Sequence, residues 1–483
     1  MRTYASMRAC SLTTLVLTCI LPWIVACSGD PPVGPGASSA TAEVSVPPKQ
    51  ASAGRQRLSH ADAQAALASV LAANQRGVVS APTLVPPGAP LAPFIEARLY
   101  SIANLAVHDA LNAIIPRFAR YADTGPIVPD ANAAAAVLTA AHDAIVGAAP
   151  AAQAAVDAWY ASQVAALAGS DGLASGVALG QRTAAAILAL RANDGVAGGG
   201  VAPYTPGTHP GDYQFTPPFN TPAFDFFGTG GFADASQWGS TVTPFVLTSA
   251  SQFRAAPPYG AASNAAAVRT PEYTADYNEI KALGCAGCTA RSAEQTEIAL
   301  FWKENSPTGW NRIARVVAAN RNLDAWNVAR LLAVMAVGEF DAYTASLESK
   351  YYYDFWRPVS AVALAGSDDN PATTPAAGWQ VLAFPTPPVP DYPSAHSTAG
   401  GAGAAIIEAL VPGKVAFSTT SGSLPGVTRT FATVADAAKE NADSRIYIGY
   451  HFRHATVRGV QQGRLVGAYV ASHVLRPTAK DEQ

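Results

Sequence analysis

The sequence predicts an all-α protein made of two packed helical bundles, with at most one short hairpin. Nearly half of the 483 residues fall in segments, several of them Ala-rich, whose apolar residues recur at helical spacing. Only two short apolar stretches, around 414–418 and 426–431, have the character of strands that could pair. Hydrophobic residues make up 49% of the chain and charged residues 13%. This composition supplies a large core and excludes a chain that is disordered throughout.

The first half of the chain combines helical patterns with one long segment of different character. The helical patterns cover 58–78, 92–115, 131–168 and 172–193. Residues 194–260 are rich in Gly, Pro, Thr and aromatic side chains, and so many aromatics favour a packed loop over a disordered one. We therefore expect an N-terminal helical region over 58–270 that includes this loop.

Helical patterns resume in the second half and continue almost to the C-terminus. Their ranges are 273–283, 291–304, 309–320, 323–347, 353–364, 395–411, 431–442 and 453–475. Pro and Gly often occupy the connections, as is usual between helices. The pattern predicts a C-terminal helical domain over 271–483.

The charge balance argues against two classes of protein. Lys plus Arg number 31 and Asp plus Glu 34, a net charge of −3, whereas a nucleic-acid-binding protein has a basic excess or patch. Past residue 30 there is no unbroken apolar run of about 18 residues, which argues against a multi-span membrane protein.

Residues 1–26 have the layout of a signal peptide. Two Arg residues precede a short apolar run that ends in Ala26, directly before Cys27. This order resembles the bacterial lipoprotein box, in which the Cys is lipidated, and the Ser that follows implies an outer-membrane lipoprotein of a Gram-negative periplasm. An ordinary secretory signal and an uncleaved anchor are the alternatives. Residues 27–57 are rich in Pro, Gly and Ser and predict a flexible tether, so that the lipid is the only membrane contact.

Only two cysteines, Cys285 and Cys288, lie outside the signal region. Such a spacing suits half a zinc site, a redox dithiol or a local disulfide. The sequence has no second pair of ligands nearby and no βαβ pattern around it. In an exported protein we therefore expect a small structural disulfide.

Three short motifs in the last third carry the chemistry. They are Lys350-YYYDFW-Arg357-Pro358, then Tyr392-Pro-Ser394-Ala395-His396-Ser, then Ser444-Arg445-IYIGY-His451. Lys and Arg provide fixed positive charges for an oxyanion in a charge-poor chain. The second motif precedes a small-residue helix, whose start offers free N–H groups to an anion. The two histidines are suited to act as nucleophile or ligand and as acid/base, so the motifs indicate a phosphate or vanadate site.

The order K-x6-R-P, P-S-x-H, S-R-x5-H resembles the signature of the vanadium haloperoxidase and type 2 phosphatidic acid phosphatase superfamily. Upstream stretches such as YSIANLAVHDALNAI and EQTEIALFWKENSPTGWNRIA look like its exported bacterial haloperoxidase-like branch, so that the resemblance covers roughly 92–475. It implies a haloperoxidase-like pair of helical bundles and vanadate as the cofactor, with phosphate as a competitor.

The resemblance also implies a role for each residue of the three motifs. His451 would be the axial vanadate ligand, or the nucleophile in a phosphatase, and His396 the acid/base. The remaining residues would bind the oxygens of the anion: Lys350, Arg357, Arg445, Ser394 and the backbone N–H of Ala395.

The chain departs from the family pattern at three places. Ala395 stands where the family has Gly, but its N–H survives. Ala455 stands where the phosphatases have the Asp that orients the nucleophilic His, which puts phosphatase activity in doubt. Asp341 could orient a histidine instead, or it could be a helix-surface acid. Val389 stands where haloperoxidases often have His or Phe near the halide.

Three functions follow from these observations. The favoured one is a vanadate-dependent haloperoxidase that oxidises halide with hydrogen peroxide. The second is a phosphomonoesterase with a phosphohistidine intermediate. The third is an oxyanion-binding lipoprotein without catalysis, against which the intact cluster of Lys, Arg and His residues argues.

Overall fold

A computed structural model describes residues 58–197, 202–220 and 233–478. The predicted signal peptide, the lipidation site at Cys27 and the tether lie outside these residues. Residues Arg55–Gln483 form one compact unit. Within the described residues it is built mainly from α-helices, so that the all-α prediction is confirmed.

The described chain contains fifteen α-helices. They are α1 His60–Ser80, α2 Pro93–Ile114, α3 Ala133–Ala148, α4 Gln153–Ala165, α5 Leu173–Leu190, α6 Trp238–Thr241, α7 Asn264–Ala267, α8 Pro271–Leu283, α9 Ala293–Phe301, α10 Ser306–Asn320, α11 Ala325–Tyr353, α12 Pro358–Leu364, α13 Ala395–Leu410, α14 Val434–Tyr447 and α15 Arg453–His473. Asn, Ser, Thr or Asp side chains cap many of them, as expected for groups that bind the free N–H at a helix start.

Strands play a small part in the described chain. The predicted hairpin is formed by β3 Phe417–Thr420 and β4 Thr428–Phe431, which pair antiparallel with Phe417 opposite Phe431. Two further strands of two residues each, β1 Ala202–Pro203 and β2 Ala233–Asp234, also pair antiparallel.

The long helix α11 runs through the core and carries one site residue at its end. Its side chains are buried on all sides over most of its 29 residues, which is typical of a central helix. It packs against α2, α13, α15 and α10. Because α2 and α11 touch directly, the two predicted regions share a core; the boundary near residue 270 stays a prediction.

Small residues bring α13 and α15 unusually close together. A Cβ built on Gly463 would lie 1.9 Å from the Thr398 carbonyl oxygen, and one on Gly467 would lie 2.4 Å from that of Ala402. Contacts this short are sterically forbidden, so only Gly permits this spacing. The close packing fixes the start of α13, where the second motif lies, against α15.

Several boundaries differ from the predicted ones for local reasons. The helical pattern over 131–168 forms two helices, α3 and α4. Pro150 interrupts it because proline has no backbone N–H to donate an intrahelical hydrogen bond. The helix predicted over 323–347 continues to Tyr353 as α11 and ends where Asp354 takes a left-handed conformation. The next helix begins only at Pro358, a favoured first position.

Asp341 is neither a surface acid nor a partner of a histidine, so both expectations for it were wrong. Its carboxylate is fully buried and accepts hydrogen bonds from the backbone N–H groups of Phe245, Val246 and Leu247, at 2.7, 2.8 and 3.0 Å. It therefore anchors part of the long aromatic segment to α11. Phe245, Leu247 and Trp238 in that segment are buried, as expected for a packed loop.

Candidate active site

Three cationic side chains from distant parts of the chain converge in the interior. Lys350 lies in the last turn of α11, Arg357 caps the start of α12, and Arg445 lies in the last turn of α14. All three are buried, at 0%, 1% and 4% exposure. Buried cations without an acidic partner for each are costly, so their concentration here indicates a site for an anion.

Backbone carbonyl groups hold two of the cations in place. The Lys350 ammonium donates to the carbonyl oxygens of Pro390 and Asp391, at 2.5 and 3.0 Å. Arg357 donates through Nε to Val389 at 2.7 Å and through Nη1 to Tyr450 at 2.9 Å. Both cations therefore also organise the loop before the second motif.

Arg445 is held less tightly than the other two cations. It donates one hydrogen bond, from Nη1 to the carbonyl oxygen of Trp302 at 3.2 Å, and lies 4.9 Å from the centre of the Tyr450 ring. Its buried Nε has no hydrogen-bond partner among the described residues. Burial lowers the pKa of Arg445 to about 10, which leaves it charged at neutral pH. It is the cation with donors to spare for a ligand.

The start of α13 supplies neutral donors to the same place. Ser394 caps the helix, and its hydroxyl accepts from the N–H and hydroxyl of Ser397. Ala395 and His396 follow as the first two helical residues, and their N–H groups have no acceptor within the helix. These N–H groups and the positive end of the helix dipole favour an anion.

His451 is oriented by an aspartate that the motifs did not reveal. Its Nδ1 lies 2.9 Å from a carboxylate oxygen of Asp391, and its Nε2 lies 2.9 Å from Nη1 of Arg357. Burial, reinforced by Arg357 and Lys350, lowers the pKa of His451 well below its usual value. The neutral ring therefore donates from Nδ1 and presents the lone pair of Nε2, as a ligand or nucleophile requires.

Asp391 is the functional residue missed in the sequence. It is fully buried, and burial raises its pKa to about 7 while Arg357 and Lys350 oppose that rise. It performs the orienting role expected of the missing Asp at position 455. The only signal in the sequence is an acid in the Pro-rich run VPDYPSAH. Because 60 residues separate Asp391 from His451, spacing alone could not pair them.

His396 faces the same space with a free ring nitrogen. Its buried Nε2 has no hydrogen-bond partner among the described residues. Burial and the nearby Arg445 lower the pKa of His396 well below its usual value. A neutral imidazole beside an anion site is suited to accept a proton and return it.

These groups enclose a cavity of about 100 Å³. Its polar wall consists of Lys350, Arg357, Arg445, His396 and His451. Its other wall is apolar or aromatic and is formed by Phe94, Tyr343, Leu347, Val389 and the neighbouring prolines. The structure thus brings the predicted residues of the three motifs to one cavity, except Ser394, which caps α13 and does not line it. The unpaired Nε atom of Arg445, Nε2 of His396 and the helix N–H groups fit the oxygens of a small anion such as vanadate or phosphate.

The other residues singled out in the sequence lie apart from this cavity. Cys285 and Cys288 are joined in a disulfide. Residue Cys285 pairs with Val381, and the loop therefore supports the chain near His451 from behind. His454 is stacked between Tyr259 and Tyr392 and does not line the cavity.

Comparisons with known proteins agree with this geometry. Residues 330–480 match the family model of the VCPO second helical-bundle domain. Over 278 residues the chain is 29% identical to the vanadium chloroperoxidase of Curvularia inaequalis, a match that covers 45% of this chain and 45% of that protein. The chain thus spans about half the length of this curated relative.

Solved structures share the fold over most of the chain. A bacterial vanadium-dependent iodoperoxidase superimposes with a TM-score of 0.67 at 22% identity, covering 86% of this chain and 97% of that one. A bacterial vanadium-dependent chloroperoxidase does so in its apo form, with a TM-score of 0.62 at 17% identity, over 80% and 95%. Its holo form gives 0.61 at 18% identity, over 80% and 93%.

The fold and the site define a helical-bundle protein with a buried, cationic oxyanion cavity. The chain resembles the vanadium haloperoxidases in three respects: the family match over residues 330–480, the sequence similarity to one curated relative, and the fold of the solved structures.

Proposed function

We propose that this protein is a vanadate-dependent haloperoxidase that oxidises halide with hydrogen peroxide. The single observation that carries the proposal is the cavity in which Lys350, Arg357 and Arg445 surround the free Nε2 of His396 and the ring of His451. Three cations exceed what a neutral substrate needs, and they suit a multiply charged oxyanion that stays bound. Bound vanadate would act as a Lewis acid that activates peroxide toward halide.

The residues of the chain would share the work around this anion. Lys350, Arg357 and Arg445 would neutralise its oxygens, together with the Ser394 hydroxyl and the N–H of Ala395. His451 would hold the anion through Nε2, since its Nδ1 is engaged by Asp391. This second contact fixes the ring and increases its basicity.

His396 would move the protons of the reaction. Its ring is neutral in the free protein because of burial and Arg445. A bound anion offsets the charge of Arg445, so that His396 can take a proton from peroxide and return it. The apolar side chains of Phe94, Leu347 and Val389 would limit water in the half of the cavity where halide enters.

A phosphomonoesterase is the second candidate, and one observation favours it. Ala455 argues against a phosphatase, because it replaces the Asp that orients the histidine. The buried carboxyl group of Asp391 can orient His451 from another position, through the hydrogen bond between them. His451 could therefore attack phosphorus as an oriented neutral nucleophile. The same cations would stabilise a five-coordinate transition state, which vanadate resembles.

One pair of assays separates these functions. Purified protein without its lipid is mixed with vanadate, peroxide and bromide, and bromination of a dione indicator is measured. Hydrolysis of p-nitrophenyl phosphate is measured in parallel without vanadate. We expect bromination that depends on vanadate and is lost in His451→Ala but kept in His473→Ala, whose histidine is exposed on α15. Hydrolysis inhibited by vanadate, without bromination, would establish the phosphatase instead, and binding without either activity would establish the non-catalytic role.

We further propose that the protein is exported to the periplasm and lipidated at Cys27. The basic start, the short apolar run and the small residue before this Cys support the proposal. Cells expressing the full chain should hold it in the membrane fraction, and Cys27→Ala should release it or block its processing. Retention of Cys27→Ala in the membrane with the leader still attached would instead indicate an anchor.

A further inference from the structure

A second set of buried polar groups begins at the wall of the oxyanion cavity. Tyr343 lines the cavity, and Glu339 lies one helical turn before it on α11. Residues four apart lie on the same face of a helix, so the two side chains are neighbours. They are 4% and 1% exposed. Neither has a role in binding the anion as described above.

These groups are not satisfied by the surrounding protein. Neither carboxyl oxygen of Glu339 has a hydrogen-bond partner among the described residues, nor does the Tyr343 hydroxyl. The buried hydroxyl of Ser306, at the start of α10, lies beside Tyr343 but completes no hydrogen bond either. Unpaired groups of this kind are rare in protein interiors, and where they cluster they call for an explanation in function.

The surroundings of Glu339 favour its protonated form. Burial raises its pKa well above the usual value, and the nearby carboxylate of Glu96 raises it further. Burial and Glu339 likewise raise the pKa of Tyr343. A neutral carboxylic acid next to a hydroxyl is able to pass a proton along and take another one up.

The cluster continues from Glu339 toward the surface. Glu96, on α2, accepts hydrogen bonds from the hydroxyls of Tyr100 and Thr308 and from Asn305 at 2.7 Å. Thr308 and Asn305 are partly exposed. Glu304 lies close enough to Glu96 for the two carboxylates to repel each other, and burial raises the pKa of Glu304. Polar groups thus lie at intervals between the cavity and the partly exposed Asn305 and Thr308, while no hydrogen bond between described residues joins Glu339 to Tyr343 or to Glu96.

Charged and titratable groups of three neighbouring helices and of the chain before α10 lie near these polar groups. On α2 they are Glu96 and Tyr100; before and on α10, Glu304, Arg312 and Arg315; and on α14, Arg445. Arg312 forms an ion pair with Glu304, and Arg315 is bound by Asn74 and Asn311. Glu339 therefore has no cation of its own among these groups.

We propose that Glu339 and Tyr343, continued by Ser306 and Glu96, form a path that delivers protons from solvent to the oxyanion cavity. The proposal rests on the proposed halide oxidation, in which halide, hydrogen peroxide and one proton give hypohalous acid and water. The O–O bond breaks, a bond from oxygen to halogen forms, halide loses two electrons to peroxide, and the departing oxygen takes up the proton. Tyr343 delivers this proton and regains one from Glu339.

The test compares Glu339→Gln and Tyr343→Phe with the wild-type protein loaded with vanadate. Both variants should lower kcat for bromide oxidation by about 100-fold or more, the lower end of the range for a positioned proton donor. The KM values and the vanadate affinity should stay unchanged, and the solvent deuterium isotope effect on kcat should increase. The double variant should be no slower than the slower single one, because both act in one path. Glu408→Gln, an exposed carboxylate paired with Arg464, serves as the matched control.

A second measurement needs no turnover. The infrared spectrum of the vanadate-free protein at neutral pH should contain carbonyl bands of buried carboxylic acids that shift in heavy water, and Glu339→Gln should lose one of them while that of Asp391, whose pKa is about 7, remains. Wild-type kcat and isotope effect in both variants, or carboxylic acid bands unchanged in Glu339→Gln, would overturn the path. Absence of bromide oxidation in the wild-type protein would instead remove the proposed function, while the infrared result would still decide whether Glu339 holds a proton. Tyr343→Phe removes one oxygen atom only, so it keeps the test valid if Glu339→Gln fails to fold.

Discussion

Substituting Arg445 by Gln should separate anion binding from stability. Two unit charges about 4 Å apart attract by roughly 4 kcal/mol at the effective dielectric constant of a protein site. Gln retains one neutral donor, which returns about 1 kcal/mol. The remaining loss of about 3 kcal/mol corresponds to an affinity for vanadate or phosphate that is roughly 100-fold weaker. Because Arg445 is buried and makes one hydrogen bond to the protein, its removal should leave the free energy of unfolding unchanged or raised.

Titration calorimetry and chemical denaturation measure the two quantities for Arg445→Gln. Arg464→Gln, which removes an exposed Arg paired with Glu408, is the control and should leave the anion affinity unchanged. Arg357→Gln is expected to lose both affinity and stability, because Arg357 also holds the carbonyl groups of Val389 and Tyr450. Wild-type affinity in Arg445→Gln would refute the assignment of Arg445 to the anion.

Three further predictions follow from single contacts. Asp391→Asn should let His451 place its proton on Nε2, seen by nitrogen NMR, and should lower activity by about 10- to 100-fold; an unchanged tautomer would contradict the orienting role. Anion binding should raise the pKa of His396, so that the protein takes up protons on binding and binds the anion more tightly as pH falls. Calorimetry in two buffers should show less proton uptake in His396→Gln, and equal uptake would exclude His396 as the group that is protonated. Asp341→Asn should destabilise the fold by roughly 2–4 kcal/mol in chemical denaturation, because it weakens hydrogen bonds to three N–H groups of 245–247, and an unchanged midpoint would show that these bonds are dispensable.

The sequence allowed the fold class and the anion-binding residues to be predicted because both depend on local patterns. Helical periodicity reveals which face of a segment is buried, and the spacing from Lys350 to Arg357 and from Arg445 to His451 is short enough to be read directly. The position of the hairpin was predicted within a few residues, since its strands are adjacent in the chain.

Contacts between distant segments could not be predicted in this way. Asp391 and His451, or Asp341 and residues 245–247, meet only because α11, α13 and α15 pack as they do. An isolated acid carries no signal of its partner when about 60 or more residues intervene. The buried acid Glu339 is another example. Only the apolar residues around it in the helical pattern indicate that its position faces the core.

Helix boundaries depended on single residues within broad patterns. Ala-rich sequence continues through 149–152, so the break between α3 and α4 follows from one Pro rather than from a change in periodicity. The extension of α11 to Tyr353 includes the buried Lys350, whose charge alone would place it on a surface. In this second case the tertiary context overrides the local preference.

The most direct test of the account is the crystal structure of the protein soaked with vanadate. The account predicts one vanadium atom in the cavity, bonded to Nε2 of His451, with Lys350, Arg357 and Arg445 contacting its oxygens. His396 should lie within hydrogen-bonding distance of one further oxygen. Vanadium bonded to another residue, or an empty cavity at saturating vanadate, would contradict the assignment.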